Sequence, residues 1–199
     1  MAITKVNVLI DGGFFSRKFF ELNDKHPSAK DVIREVNKAM ELVKKKTNNE
    51  TSDILFRIYY YDCEPFGKTI KDKTGKSSID FSASKTYTAK NNFLKNLRKE
   101  DKMALRIGEL SFDGWKIDQH NPSKWKPDFK QKGVDMKIGL DMALMATKKT
   151  IDKIVLIAGD SDFISPIKLV RKEGIQVYLY KMKHRVKNTL TDHCDFVLS

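Results

Sequence analysis

The strongest constraint on the fold is an alternation of helical patterns and apolar runs in the last third of the chain. Residues 133–147 and 162–172 have the apolar periodicity of amphipathic helices, and residues 153–158 (KIVLIA) and 175–180 are short apolar runs. Runs of this kind are typical of parallel strands that helices cover on both faces. The order helix, strand, helix, strand therefore predicts an α/β domain with a parallel sheet.

The rest of the chain extends the same pattern. Residues 5–10 (KVNVLI) predict a first strand, residues 53–61 a second, residues 104–108 a third, and residues 195–198 a short final one. We expect a doubly wound, mainly parallel sheet of five or six strands with helices on both faces. Ligands of such sheets bind at the carboxyl ends of the strands, where the strand order reverses.

The length of 199 residues fits one domain over residues 1–199. Residues 63–130 depart from the α/β pattern and predict a basic insertion. Within it, residues 63–85 are polar and rich in lysine and glycine, which favours a loop or small insertion. Residues 111–130 carry two tryptophans and two prolines among lysines, which predicts a surface excursion.

The charge indicates a polyanionic partner. The chain has 38 Lys and Arg against 26 Asp and Glu, a formal net charge of +12. Such a balance favours nucleic acid, although it also fits an anionic membrane surface or basic side chains that merely solvate helix faces. The N-terminal apolar run is too short for a signal peptide or a membrane span. Two isolated cysteines, Cys63 and Cys194, fit a reducing compartment, so we expect a cytoplasmic protein.

Aspartates follow two of the predicted strands. Asp11 ends the first strand, and Asp160 and Asp162 follow the run at 153–158. If these strands are neighbours, the carboxylates meet in one crevice, where two charges about 4 Å apart repel by roughly 4 kcal/mol at an effective dielectric near 20. A hard divalent cation such as Mg²⁺ or Mn²⁺ offsets this repulsion, because it prefers carboxylate and water oxygens.

A fourth candidate, Asp135, lies in the first turn of the helix predicted at 133–147, where the helix dipole favours an anion. Asp141, six residues later, points roughly 240° around the helix, so we expect it to act from a second shell or to bond a backbone group. The competing interpretation is a helix cap, since an Asp between a strand and a helix is often an N-cap. Asp160 and Asp162 each fit that role when taken singly.

These residues resemble the NYN domains, a branch of the PIN-like ribonucleases. The resemblance covers nearly the whole chain and is weakest over residues 63–130. The matching stretches are Asp11-Gly12, 132–135 (KGVD) with Asp141, 159–163 (GDSDF) before Pro166, 174–177 (GIQV), and the closing Leu190, Asp192, Asp195 and Phe196. Family members commonly place an Asn three residues after the first Asp, and this chain has Phe14 there.

The resemblance implies a metal-dependent nuclease, most specifically an endoribonuclease that hydrolyses RNA phosphodiester bonds. Asp11, Asp135 and Asp160 are carried over as ligands of Mg²⁺ or Mn²⁺, and Asp162 as a further ligand or a water-positioning acid. The Phe14 departure supports an alternative, a nucleic-acid or nucleotide-binding module that keeps the fold without cleaving. A phosphatase with a D-x-D nucleophile is disfavoured, because Gly13 takes the second Asp position. A toprim-like site would place Glu on the first strand.

Basic side chains near the predicted carboxyl edge are candidates to hold backbone phosphates. We expect single-stranded or loop RNA to be the partner, with DNA as the alternative. We expect no membrane partner, and the sequence leaves homo-oligomer formation open. Trp115 and Trp125 either stack unpaired bases or close a loop over the core. The phosphate-binding candidates are Arg17, Lys18, Lys132, Lys181, Lys183 and Arg185.

Overall fold

The computed structural model describes residues 2–48, 50–119 and 121–199. In chain order its strands are β1 Ala2–Asp11, β2 Thr51–Cys63, β3 Thr69–Lys71, β4 Ser78–Asp80, β5 Met103–Ile117, β6 Trp125–Lys132, β7 Lys153–Ile157, β8 Gln176–Tyr180 and β9 Phe196–Leu198. Its α-helices are α1 Gly12–Asn23, α2 Ala29–Lys46, α3 Lys85–Leu97, α4 Val134–Lys148, α5 Ile164–Lys172 and α6 Asn188–Thr191, with 3₁₀ turns at Phe81–Ala83 and Ser161–Phe163.

The main sheet has seven strands in the order β6-β5-β2-β1-β7-β8-β9, and β3 pairs with β4 separately. All neighbours in the main sheet are parallel except β5 and β6. The chain builds outward from β1 through β2 and β5, then returns to the other side of β1 with β7. The strand order therefore reverses between β1 and β7, and the prediction of a doubly wound, mainly parallel sheet is confirmed.

Helices cover both faces of the sheet, as predicted. Helices α1, α2 and α3 pack on one face through buried apolar side chains such as Val36 and Leu94. Helices α4 and α5 pack on the other through side chains such as Ile138 and Ile167. The five central residues of β1, from Val6 to Ile10, are buried, as expected for a strand covered on both faces. Within the described part of the chain, no helix is long and apolar enough to span a membrane.

The surface excursion predicted at 111–130 is wrong for most of its length. Strand β5 continues to Ile117, and the chain returns as the antiparallel strand β6, which raises the strand number from the predicted five or six to seven. A bulge between Phe112 and Trp115 breaks the alternation that would have signalled a strand. Pro127 is tolerated because β6 is an edge strand. His120, between the two strands, lies outside the described residues.

The amino ends of the central strands hold a buried ion pair. Lys153, the first residue of β7, donates to Asp53 of β2 (Nζ to Oδ1, 2.6 Å) and to Thr51 (Nζ to Oγ1, 2.8 Å). Thr4 of β1 also donates its hydroxyl to Asp53. The side chains of Lys153 and Asp53 are 4% and 0% exposed. Three strands are thus joined at this edge by one charge-assisted network.

Candidate functional site

Asp11 stands at the carboxyl end of β1 and caps α1. Its Oδ1 accepts hydrogen bonds from the backbone N–H groups of Gly13 (3.0 Å) and Phe14 (3.1 Å). Gly12 permits the tight turn, because a Cβ there would lie 2.6 Å from the carbonyl oxygen of Tyr61 on β2. The cap uses one carboxylate oxygen of Asp11 and leaves the second without a hydrogen bond from the described residues.

Asp160 follows β7 and faces Asp11 across the point where the strand order reverses. The two strands are in register, with Ile10 opposite Ile157. Asp160 caps the 3₁₀ turn before α5, since its Oδ1 accepts a hydrogen bond from the backbone N–H of Asp162 (3.0 Å). The cap interpretation of Asp160 is therefore correct. It does not exclude a site, because the other oxygen of this exposed carboxylate stays available.

The electrostatics place four aspartates in one neighbourhood. Burial, and then the charge of Asp135, raises the pKa of Asp11 to about 6, although backbone hydrogen bonds oppose the rise. Burial, and then the charges of Asp160 and Asp162, raises the pKa of Asp135 in the first turn of α4. We call this set the acidic crevice, and it consists of Asp11, Asp135, Asp160 and Asp162.

The acidic crevice offers only oxygen donors and has no internal counter-charge. Among the described residues, none of its four carboxylates forms an ion pair. This donor set suits Mg²⁺ or Mn²⁺. In the part of the chain that the structure describes, however, no three acidic, histidine or cysteine side chains are grouped closely enough to hold one ion. The chemistry fits a divalent cation, and the side chains must draw closer, or act through water, to ligate it.

Asp141 lies elsewhere on α4, in agreement with the angular prediction. It accepts hydrogen bonds from the Tyr61 hydroxyl (2.9 Å) and from Nε of Arg106 (2.8 Å). Its partners are thus side chains of β2 and β5, which tie α4 to the sheet. A role for Asp141 in a second shell stays a prediction.

Sequence reasoning missed Asp62, which lies one strand away from Asp11. It follows Tyr61, the residue opposite Asp11 in the β1–β2 register, and is 2% exposed. Lys90 of α3 forms an ion pair with Asp62, and the Cys63 backbone N–H donates to it (2.7 Å). The available signal was the same as for Asp11, namely an aspartate directly after a strand.

A cleft of about 340 Å³ opens beside Asp11 and Asp160. Two predicted phosphate-binding residues, Arg17 and Arg185, line it, together with His184 from the same predicted segment and Lys187, which was not predicted. The other four basic candidates do not line this cleft. Of these, Lys18 pairs with Glu21 (2.5 Å), Lys132 precedes α4, and Lys181 and Lys183 lie between β8 and α6.

Phe14, at the position of the family's usual Asn, forms a wall of the same cleft and is 4% exposed. Its ring packs against Gly159, where a Cβ would lie 2.5 Å from the Phe14 Cε2 atom. The ring of His184 meets it edge to face, with centroids 5.7 Å apart. Burial, and then the charge of Lys18, lowers the pKa of His184 below its ordinary value.

Fold and site together define an α/β domain with an acidic crevice at its topological switch point. The chain belongs to the NYN domain family, whose model matches residues 5–199. This family is associated with nucleases, which supports a general nuclease role, and NYN and PIN-like nucleases generally use divalent metals.

One solved structure that the chain matches is a protein of unknown function, VPA0982, from Vibrio parahaemolyticus RIMD 2210633. It has 14% sequence identity and a TM-score of 0.48, and the match covers 98% of this chain and 91% of that one. No curated protein sequence matches the chain significantly.

Proposed function

We propose that the protein is a metal-dependent endoribonuclease, a hydrolase that cuts RNA phosphodiester bonds at the acidic crevice. The observation that carries the proposal is a set of carboxylates without ion-pair partners among the described residues beside the switch point between β1 and β7, where burial, and then the charge of Asp135, raises the pKa of Asp11 to about 6. A cluster of this kind is unfavourable without a cation, and perturbed carboxylates in a cleft are typical of functional sites.

Asp11, Asp135 and Asp160 are the proposed ligands of Mg²⁺ or Mn²⁺, with Asp162 as a further ligand or a water-positioning acid. A bound divalent ion polarises the scissile phosphate and lowers the pKa of a bound water. At neutral pH the carboxyl group of Asp11 is mostly ionised despite its raised pKa, so it can serve as a ligand. Its hydrogen bonds from Gly13 and Phe14 fix its orientation at the end of β1.

The basic walls of the cleft supply the phosphate contacts. Arg17 and Arg185 flank Asp11 and Asp160 in the same cleft, and Lys187 extends this wall. Guanidinium groups hold phosphate oxygens through paired hydrogen bonds, which fixes the register of a strand without reading its sequence. Lys18, Lys132, Lys181 and Lys183 are proposed to contact the strand further from the crevice.

RNA in single-stranded or loop regions is the proposed substrate, because the cleft is open and the chain carries +12 net charge. A cytoplasmic location is proposed from Cys63 and Cys194, which are both buried free thiols.

The decisive assay uses a circular single-stranded RNA, which only an endonuclease can open. We expect cleavage with Mn²⁺ and none with EDTA. Replacing a metal ligand affects activity more than the roughly 10- to 100-fold cost of losing an outer-shell partner, so Asp160→Asn should reduce the rate by at least about 100-fold. Asp113→Asn is the matched control, because Asp113 is an exposed carboxylate that pairs with Lys130.

Equal cleavage by wild type and Asp160→Asn would show that a contaminant cuts the RNA, and the proposal would fail. A circular single-stranded DNA in the same assay measures the preference between RNA and DNA. Linear RNA that is trimmed while the circle stays intact would contradict endonucleolytic action.

The second candidate is a module of the same fold that binds nucleic acid without cleaving it. Two observations favour it: Phe14 fills the position of the usual polar side chain, and the described acidic side chains are not grouped around one point. This candidate predicts that the protein binds single-stranded RNA equally with Mn²⁺ or EDTA, and that the circle stays intact under both conditions.

A further inference from the structure

A second cleft lies over the carboxyl end of β2. It has a volume of about 470 Å³, within the range of roughly 300 to 1,000 Å³ that ligand pockets occupy. Its walls include the rings of Phe66, Phe81 and Phe129, and Tyr87 and Gln131 complete its lining. We call it the aromatic cleft.

The rings of the aromatic cleft contact one another but stay partly exposed. The centroid of Phe129 is 5.0 Å from that of Phe66 and 5.4 Å from that of Phe81. Phe66 and Phe81 meet edge to face at 5.7 Å. None of the three is buried, and none belongs to either core cluster. Exposed aromatic faces held in fixed positions are suited to stacking with a flat ligand.

Three parts of the chain hold these rings in place. Phe66 follows β2, Phe81 begins a 3₁₀ turn, and Phe129 lies on β6. The ring of Tyr87 on α3 packs against Gly67, where a Cβ would lie 2.6 Å from its Cε2 atom. The aromatic cleft is therefore formed by residues between 63 and 132, and β6 supplies its last residues in chain order.

The aromatic cleft adjoins the acidic crevice. Gln131 lines the cleft, and its Oε1 lies 3.3 Å from the position that a Cβ would take on Gly13. The Oδ1 atom of Asp11 lies 3.4 Å from that same position. Asp62 lies on β2, the strand that pairs with β1 beside Asp11, and it also lines the aromatic cleft. Among the described residues, the side-chain amide of Gln131 has no hydrogen-bond partner, so it is free to bind a polar edge.

The two acidic residues that line the cleft, Asp62 and Glu64, are paired with Lys90 and Arg98, and further lysines flank it. Lys68 and Lys85 are exposed, and within the described chain neither forms an ion pair. Lys68 is adjacent to the cleft, since its carbonyl oxygen accepts a hydrogen bond from the Phe81 backbone N–H (3.4 Å). Lys85 lies between Ser84 and Thr86, which both line the cleft.

We propose that the aromatic cleft receives one unpaired nucleobase of the RNA strand whose phosphodiester lies at the acidic crevice. This inference rests on the proposed function and adds a base-binding subsite to it. A nucleobase combines two apolar faces with a polar edge, and the cleft combines phenyl rings with the free amide of Gln131. Aromatic stacking of this kind tolerates any base, so the subsite selects unpaired strands rather than a sequence.

The test uses short single-stranded RNAs in which one nucleotide at a time is abasic. Binding is measured by fluorescence anisotropy in the Asp160→Asn variant, so that cleavage does not interfere. Removal of the stacked base should weaken binding by about 5- to 150-fold at one position or two adjacent positions, and much less elsewhere. Neighbouring phosphates are retained, so electrostatic contacts are the same across the series.

Phe66→Leu and Phe81→Leu keep apolar volume and remove the aromatic face. Each should weaken binding of intact RNA by several-fold and abolish the dependence on abasic position. The control is Phe56→Leu, a more exposed phenylalanine (45%) located earlier on β2 and outside the cleft, which should change neither. Melting curves of all three variants establish that they are folded.

The base-binding subsite would be overturned by equal affinity for all the abasic RNAs, or by an abasic profile that is unchanged in Phe66→Leu and Phe81→Leu. If the circular RNA is still cleaved in that case, the proposed function stands. Failure of the protein both to bind and to cleave any of these RNAs would overturn the two proposals together.

Discussion

Two carboxylates at opposite ends of the central strands, Asp53 and Asp11, have pKa values that are shifted in opposite directions. At the amino ends, burial alone would raise the pKa of Asp53, but hydrogen bonds from Lys153, Thr4 and Thr51 outweigh it and the pKa is lowered. At the carboxyl ends, burial raises the pKa of Asp11 to about 6, and the neighbouring acids add to the rise. Asp53 is paired within the protein by Lys153, as Asp62 at the carboxyl edge is by Lys90, whereas Asp11 has no ion-pair partner among the described residues.

This difference distinguishes a structural carboxylate, Asp53, from one that we propose to be functional, Asp11. The Oδ1 atom of Asp53 accepts hydrogen bonds from Lys153, Thr4 and Thr51, so its charge joins strands together, while Oδ2 is buried without a partner among the described residues. The acidic crevice has no such cation among the described residues, and its repulsion is a cost to the folded state. A protein retains unpaired charges that destabilise its folded state where those charges bind a ligand such as a metal ion. The two edges thus predict opposite responses to the same Asp→Asn replacement.

The largest effect on stability is expected from Asp53→Asn. This change leaves the Lys153 ammonium buried without its carboxylate, which should lower the free energy of unfolding by about 3 to 5 kcal/mol. Chemical denaturation measures it directly. Asp113→Asn breaks an exposed pair and should cost less than about 1 kcal/mol. A loss of under 1 kcal/mol in Asp53→Asn as well would mean that the amino edge is not the stabilising network described above.

Asp11→Asn should act in the opposite direction. Because the pKa of Asp11 is higher in the folded state (about 6) than the ordinary value of 3.8, the folded metal-free protein binds more protons between these values. Its free energy of unfolding therefore falls as the pH rises from about 4 to 6, by up to roughly 3 kcal/mol from this group. Asparagine caps a helix as well as aspartate does, so the variant keeps the cap and loses this decline.

The measurement is the difference in unfolding free energy between wild type and Asp11→Asn at pH 4 and pH 7. Asp11→Asn should gain stability relative to wild type as the pH rises. A difference that is independent of pH would contradict the raised pKa, and with it the contrast between the two edges.

A smaller effect is expected from the basic wall of the crevice. Arg185→Gln removes one proposed phosphate contact, so the slope of log affinity against log salt for single-stranded RNA should become shallower by about 0.7. The control, Arg57→Gln, changes an exposed arginine that lies beside Phe56, away from the cleft. Equal slopes for wild type and Arg185→Gln would remove Arg185 from the binding surface.

The sequence predicted the features that depend on local pattern. Strands β1 and β7 were recognisable as apolar runs that end in aspartates, and this placed Asp11 and Asp160 at the carboxyl edge. Asp135 followed from the start of α4. The prediction that these aspartates meet required β1 and β7 to be neighbours in the sheet, and the two strands are paired.

Features that depend on distant pairs were not predictable in the same way. Lys153 and Asp53 are 100 residues apart, and neither carries a local sign of its partner. Lys90 lies on α3, and only the packing of that helix brings it to Asp62. The pairing of β5 with β6 was hidden because a bulge interrupts the pattern of β5 and Pro127 interrupts that of β6. The aromatic cleft likewise exists only once β6 and residues 66 to 81 are brought together.

The most direct test of the account is calorimetric titration of Mn²⁺ into the metal-free protein at neutral pH. We expect saturable binding to wild type and to Asp113→Asn, with binding strongly weakened in both Asp11→Asn and Asp160→Asn. If wild type binds no Mn²⁺, or if all four proteins bind it equally, the acidic crevice is not a metal centre and the proposed nuclease mechanism is wrong.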